Sequence, residues 1–295
     1  MADAATSPAL WTIRRLLRWS SQWLSNKGVE SPRLDSELLL ADALQVERIR
    51  LFLDPDRPLV AAELQAFKER IKRRAAREPV AYILGKREFW SLTFQVGAGV
   101  LIPRPETETL IEAVLAHFPD RSAPWRLLDL GTGSGALLLT LLHEWPHALG
   151  VGIDIADTAL ACCRSNAIQF GLIERATLLA GDLYQPLQSL TPRPCFDLIV
   201  ANPPYVCPES WPTLQPEIRL WEPALALLAS DKGLAFYHRI FSAAQQWSTP
   251  AGLVAVEIGS DQGDAVVNIA RQNDYHSVTL LQDYSHQPRI VLAQK

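Results

Sequence analysis

The chain has 295 residues, 48% hydrophobic and 20% charged, which is length for one large domain and a small one with ordinary globular composition. No apolar run approaches a membrane span, the N-terminus lacks the features of a secretory signal, and four cysteines (Cys162, Cys163, Cys195, Cys207) show neither C-x-x-C spacing nor a nearby histidine set. A cytoplasmic protein without membrane, metal or disulfide chemistry is therefore expected. The net charge of −4 covers an asymmetry: residues 1–86 hold 15 Lys and Arg against 11 Asp and Glu, the rest 13 against 21. That basic excess is too small to predict nucleic-acid binding.

Residues 1–86 read as helices only. Thr6-Ser7-Pro8 offers a cap with proline in the first turn, and Leu10, Ile13, Leu16, Leu17, Trp23 and Leu24 recur at helical spacing until Gly28. Arg14, Arg15 and Arg18 occupy the other side, a solvated face of a bundle helix in preference to a membrane or partner surface. Ser31-Pro32 starts a second helix through Leu44 with Leu34, Leu38 and Leu39 inward, and Asp54 to Pro58 forms a turn. Ala61 to Arg77 is a third helix with Leu64, Phe67 and Ile71 on one face and a basic cluster, Lys68 to Arg77, near its end, where cations suit the helix dipole. Glu78-Pro79 opens a short helix ending at Gly85. Arg87 to Ile102 then changes to extended structure, with Gly97-Ala98-Gly99 as the turn of a hairpin joining the helical part to the rest. Glu106 to Phe118 is an amphipathic helix.

From Trp125 strands and helices alternate, the signature of a parallel sheet with crossover helices. Expected strands are Arg126–Asp129, Leu149–Ile153, Ala176–Ala180, Leu198–Ala201, Leu253–Glu257, Ser277–Leu281 and Ile290–Leu292. The last two have no helix-length segment between them and should pair antiparallel near one edge.

The first strand runs into Gly131-Thr132-Gly133-Ser134-Gly135. This G-x-G-x-G spacing differs from the dinucleotide and phosphate-loop patterns, and no lysine follows to meet a triphosphate. Asp154 ends the next strand, where a carboxylate can take both ribose hydroxyls. Asp182, after the third strand, is placed to accept from an adenine amino group, with Leu183 covering the ring. A nucleoside without phosphates fits, and the Asp129 and Asp154 carboxylates favour a positively charged one. S-adenosylmethionine is such a molecule. The competing role for each Asp is a helix cap or turn. At the fourth strand, Leu198–Ala201 stops at Asn202-Pro203-Pro204-Tyr205. The prolines cannot continue the strand, so Asn202 and Tyr205 fall at its carboxyl end, where open α/β sheets put ligands. The Asn202 side chain and the Asn202 and Pro203 carbonyls make a rigid set of acceptors for a planar NH2 group.

Together, Asp129 to Gly135, Asp154, Gly181-Asp182 and Asn202 to Tyr205 resemble a class I S-adenosylmethionine-dependent methyltransferase acting on a planar nitrogen. Arg77-Glu-Pro-Val-Ala-Tyr-Ile-Leu-Gly85, Leu101-Ile-Pro-Arg-Pro-Glu-Thr-Glu108 and Trp221-Glu-Pro-Ala-Leu225 narrow the resemblance to the HemK/PrmC family, the glutamine-N5 methyltransferases of peptide chain release factors. The similarity runs from Arg33 to the last strand. It implies a Rossmann-like α/β fold with a seven-stranded sheet (residues 105–295), an N-terminal five-helix domain that recognises the substrate protein (1–86) and a β-hairpin linker (87–104). It implies that Gly131, Thr132, Gly133, Ser134, Gly135, Asp154, Asp182, Leu183 and Asn202 hold S-adenosylmethionine. It further implies that Asn202, Pro203, Pro204 and Tyr205 hold the amide of the Gly-Gly-Gln glutamine of a class I release factor, with no nucleic acid directly bound. Two departures stand out: Asp283 to Arg289 lacks the glycine usual before the final strand, and Ala235 stands where the family often has Asp. Adenine-N6 methylation of nucleic acid shares the Asn-Pro-Pro-Tyr pattern, and glutamine methylation of a ribosomal protein shares much of the rest. A non-catalytic nucleoside-binding adaptor is the reading from a different class.

Overall fold

The computed structural model describes residues 10–295. The proposed cap at Thr6-Ser7-Pro8 lies outside the described residues. In chain order the elements are α1 (Ile13–Asn26), α2 (Pro32–Ala43), α3 (Arg50–Leu53), α4 (Ala61–Ala75), α5 (Val80–Leu84), β1 (Lys86–Phe89), β2 (Leu92–Gln95), α6 (Glu108–His117), β3 (Arg126–Leu130), α7 (Ala136–Glu144), β4 (Leu149–Asp154), α8 (Asp157–Gln169), β5 (Ala176–Ala180), β6 (Phe196–Ala201), α9 (Pro216–Trp221), α10 (Ala235–Ala244), β7 (Ser248–Glu257), α11 (Gly263–Gln272), β8 (Ser277–Gln282) and β9 (Pro288–Gln294). The described residues fall into two compact units, one of residues 10–85 with 216–221, the other of 86–215 with 222–295. No helix among the described residues is long and apolar enough to cross a membrane.

The helical unit closes over Ile13, Leu16, Leu24, Leu39, Leu40, Leu51, Phe67 and Ile71. The first helix begins later than its apolar pattern suggests. Thr12 caps it, its Oγ1 accepting from the Arg15 N–H at 3.3 Å, and Leu10 is exposed before it. The α2 face also differs from expectation. Leu34 is exposed, whereas Asp35, Ser36 and Glu37 are buried. The carboxylates are tolerated there because each is paired: Arg74 Nε donates to Asp35 at 2.6 Å, and Arg33 and Arg48 both donate to Glu37 at 2.9 Å. The basic cluster is largely spent in the same way. Arg70 pairs with Asp42 and Arg73 with Glu78, while Arg74 and Arg77 clamp Glu217 of α9 at 2.7 and 2.6 Å.

The second unit opens with the β1–β2 hairpin. Its turn is at Trp90-Ser91, not at Gly97-Ala98-Gly99, because Phe89 pairs directly with Leu92 and both turn residues take positive φ (51° and 57°). Two carboxylates fix this turn from outside. The Trp90 N–H donates to Glu108 at 2.8 Å and its indole Nε1 to Glu144 at 2.7 Å.

The sheet has the order β5-β4-β3-β6-β7-β9-β8, with β9 antiparallel to both β7 and β8 and the other pairs parallel. The expected strands are all present, and the expected antiparallel pair is at the edge. Helices α6, α7 and α8 with Phe89 and Phe94 cover one face, and α10 and α11 cover the other. The central strands are apolar on both faces, so Leu127, Leu128, Leu198, Ile199 and Val200 are all buried. This puts the carboxyl ends of β3, β6 and β7 side by side, with β6 in the middle. The segment lacking a glycine before β9 turns instead at His286 (φ 59°), because the Asp283 carboxylate accepts from the Ser285 and Gln287 N–H groups and from Arg289.

Candidate active site

At those carboxyl ends lies a cavity of about 280 Å³. Its wall includes Gly131, Thr132, Gly133, Ser134, Asp154, Asp182, Leu183, Asn202, Pro203 and Pro204, so most of the sequence-derived site residues converge on one space. Gly135 and Tyr205 are not in the wall. Gly135 serves packing: at φ 84°, a Cβ there would lie 2.7 Å from Cys163 Sγ and 2.8 Å from Leu139, so α7 can start only on a glycine. Tyr205 is half-buried against the α10–α11 face of the core. Its hydroxyl titration is pushed up to about 12, by burial first and by Glu257 second.

Backbone and carboxylates shape the nucleoside end. Asp154 accepts from the Gly133 N–H and from the Ala156 N–H, each at 2.9 Å, which ties the glycine loop to the end of β4. Asp129 is fully buried. One of its oxygens accepts from Thr132 Oγ1 at 2.7 Å and the Leu138 N–H at 3.3 Å, while Oδ1 has no hydrogen-bond partner. Burial raises its titration to about 7, against the lowering effect of those donors and with a further push from Asp154. Two arginines reach the wall, and neither serves these acids. Arg239 is paired with Asp182 at 2.6 Å and Arg104 with Glu222 at 2.5 Å. The floor of the cavity thus presents carboxylate without a cation, including one orphaned buried oxygen. That donor set suits a positively charged nucleoside and fits S-adenosylmethionine.

Around Asn202 the structure adds residues the sequence reading missed. Its Nδ2 donates to Thr107 Oγ1 at 3.2 Å, and Thr107 Oγ1 donates to the Glu257 carboxylate at 2.5 Å. Thr107 is 3% exposed and Glu257 1%, so the relay is dry on one side and opens to the cavity at Asn202. Among the described residues no group hydrogen-bonds Asn202 Oδ1. The loop beyond is pinned from behind. Gln262 Nε2 donates to the Tyr205 carbonyl at 3.1 Å, and a Cβ on Gly233 (φ 87°) would lie 2.2 Å from that same oxygen. Of the missed residues, Thr107 stood inside the Leu101 to Glu108 motif. Glu257 also left a trace, as a lone acid ending an apolar strand. Arg239 and Gln262 left no comparable trace.

Comparison with known proteins decides the family. Residues 15–85 match the PrmC N-terminal domain model and residues 122–274 a methyltransferase domain model. The chain is 40% identical over 284 residues to the release factor glutamine methyltransferase of Geobacter sulfurreducens, covering 96% of this chain and 97% of that one. It is 42% identical over 272 residues to the enzyme of the same name from Caulobacter vibrioides, covering 92% of both. The chain belongs to the release factor glutamine methyltransferase family. It is accordingly an S-adenosylmethionine-dependent methyltransferase. The same catalytic fold is seen in the N-terminal domain of human METTL16, solved with S-adenosylhomocysteine, at a TM-score of 0.54 and 16% identity over 76% of this chain and 83% of that one. In this family member the glycine loop, the acid-lined floor and the Asn202 loop share one cavity.

Proposed function

We propose that the protein methylates the side-chain amide nitrogen, N5, of the glutamine in the Gly-Gly-Gln loop of class I peptide chain release factors, in the cytoplasm. The observation that carries the reading is the state of Asn202. Its Nδ2 is committed to Thr107, which leaves Oδ1 as an uncommitted acceptor at the cavity wall, beside the Pro203 carbonyl in sequence.

In this reading Gly131, Thr132, Gly133, Ser134, Asp154, Asp182 and Leu183 hold the cofactor, with Asp129 facing its cationic part and Gly135 setting the start of the helix behind it. S-adenosylmethionine supplies an activated methyl group on a sulfonium. An amide nitrogen is a poor nucleophile because its lone pair is delocalised into the carbonyl. Asn202 Oδ1 and the Pro203 carbonyl accept the two N–H protons of the substrate amide. This orients the nitrogen and stabilises the positive character it gains as its bond to the methyl carbon forms and the carbon–sulfur bond breaks. The proton then leaves the nitrogen for solvent. Pro204 stiffens the loop, and Tyr205 packs beneath it instead of lining the wall. Residues 1–86 recognise the release factor, and 87–104 link that domain to the catalytic one.

Adenine-N6 methylation would use the same acceptors, but it demands base extrusion and a phosphate-neutralising surface, and residues 87–295 carry a net negative charge. The test is methyl transfer from labelled cofactor to a purified class I release factor, to its Gly-Gly-Gln glutamine→alanine variant and to duplex DNA. Label on the wild-type factor alone supports the assignment. Label on DNA, or equal label on the variant, overturns the substrate. Asn202→Ala should lower kcat by at least a hundredfold with cofactor affinity little changed; unaltered turnover refutes the role given to Asn202.

A further inference from the structure

Resting on the role given to Asn202 above, we infer that Glu257 and Thr107 are positioning residues that set the direction of the Asn202 amide, keeping its oxygen turned to the substrate. The argument is one of hydrogen-bond polarity. An ionised carboxylate only accepts, so the Thr107 hydroxyl must spend its single proton on Glu257 Oε2, at 2.5 Å. The Thr107 oxygen then has only lone pairs left and takes an N–H from Asn202, at 3.2 Å. With Nδ2 drawn to Thr107, Oδ1 is the end left for the cavity. A bare Asn at this point would be free to present either end, and its NH2 would repel the donor NH2 of the substrate.

The chain reverses if Glu257 becomes a donor. A carboxyl protonated on the oxygen that faces Thr107 gives a proton to Thr107 Oγ1, and a glutamine amide turned with its NH2 inward does the same. Thr107 then donates to Asn202 and holds Oδ1 away from the cavity. The groups around Glu257 leave this switch within reach. Its titration stands at about 7, raised first by burial and, less, by Glu106 beside Thr107. Thr107, Arg289 of β9 and Asn202 lower it. Tyr205 and Tyr237 complete the surroundings; the Tyr237 hydroxyl donates to the Glu257 backbone carbonyl at 3.0 Å, and neither tyrosine titrates in the working range.

The experiment compares Glu257→Gln, Thr107→Val, Thr107→Ser and Asn202→Ala in one methyl-transfer assay on a class I release factor. Cofactor affinity is measured on each variant by calorimetry. Glu257→Gln keeps the shape but removes the acceptor-only partner, leaving the chain free to run either way, and Thr107→Val removes the hydroxyl. Thr107→Val should lower kcat by about a hundredfold at pH 8, the cost of one missing transition-state hydrogen bond, and Glu257→Gln by more than threefold with the pH dependence below pH 7 lost, each with cofactor affinity within threefold of the parent. Thr107→Ser should stay within threefold in kcat. In the parent, kcat should fall about tenfold per pH unit below pH 7, and the residual rate of Thr107→Val should be flat over that range. Glu257→Gln and Thr107→Val within threefold of the parent, while Asn202→Ala is inactive, would overturn the positioning chain and leave the proposed function standing. An active Asn202→Ala would remove the role of Asn202 itself.

Discussion

Asp129→Asn should make the cofactor-free protein more stable and a worse enzyme, and both effects follow from one buried oxygen. Asp129 titrates at about 7 in the folded chain against an ordinary 3.8, with burial as the leading cause. Between those values the folded chain keeps a proton the unfolded chain has lost, so stability falls as pH rises through that window. Above pH 7 both states are ionised and the cost is complete. About three pH units correspond to roughly 4 kcal/mol. Asparagine keeps one oxygen for Thr132 and the Leu138 N–H but puts an NH2 where Oδ1 has no partner, which returns about 1–3 kcal/mol. The net expectation is a stabilisation of about 1–3 kcal/mol at pH 8, a gain of a few degrees in Tm, shrinking to nothing or reversing at pH 5. Thermal melts of parent and variant at the two pH values, without cofactor, read this directly. The affinity for S-adenosylmethionine should fall at least tenfold in the same variant. A Tm difference that is equal at pH 5 and pH 8 would refute the claim that the carboxyl is held near neutrality, and unchanged cofactor affinity would refute its role toward the cation.

Arg74→Met should cost about 3–5 kcal/mol in denaturant unfolding, because Asp35 loses its side-chain partner and Glu217 keeps only Arg77. Gly233→Ala should leave cofactor affinity within a few-fold while lowering kcat at least tenfold. A Cβ 2.2 Å from the Tyr205 carbonyl must push the Asn202 to Tyr205 loop, and displacements near 1 Å cost about a hundredfold in positioned chemistry.

The sheet was legible because its central strands are buried on both faces and therefore read as continuous apolar runs, and because the glycine loop and the two prolines mark where β3 and β6 must end. The hairpin turn was not, because Trp90-Ser91 takes positive φ without the Asn-Gly chemistry that usually announces it, while Gly97-Ala98-Gly99 offered a more familiar turn nearby. The inward face of α2 was misread for a related reason. A carboxylate reads as solvated unless its partner is known, and Asp35 finds Arg74 39 positions away. Within the site, strand-end logic brought the loop, Asp154, Asp182 and Asn202 together. It could not separate Gly135, which packs, from Gly131 and Gly133, which line the wall. Nor could it join Thr107 to Glu257 across 150 positions of chain.

The arrangement of β3, β6 and β7 explains why two carboxyls are held near neutrality in one sheet. Asn202 follows β6, and the strands on either side each bring a buried acid near that end: Asp129 level with Val200 on one flank, and Glu257 two residues further along, one beyond the Ala201–Val256 pair, on the other. Their duties are opposite. Asp129 leaves an oxygen without a partner and so has most to gain from a cation, whereas Glu257 spends an oxygen on fixing Thr107. Neither acid helps the empty fold, since burial makes the ionised carboxyl costly at both positions. Their presence at the two flanks of the Asn202 strand accords with the proposed roles, in which the cofactor compensates one and the acceptor geometry requires the other. The two costs should therefore respond differently to S-adenosylmethionine. Saturating cofactor should flatten the part of the pH–stability profile that belongs to Asp129 and leave the part that belongs to Glu257 in place.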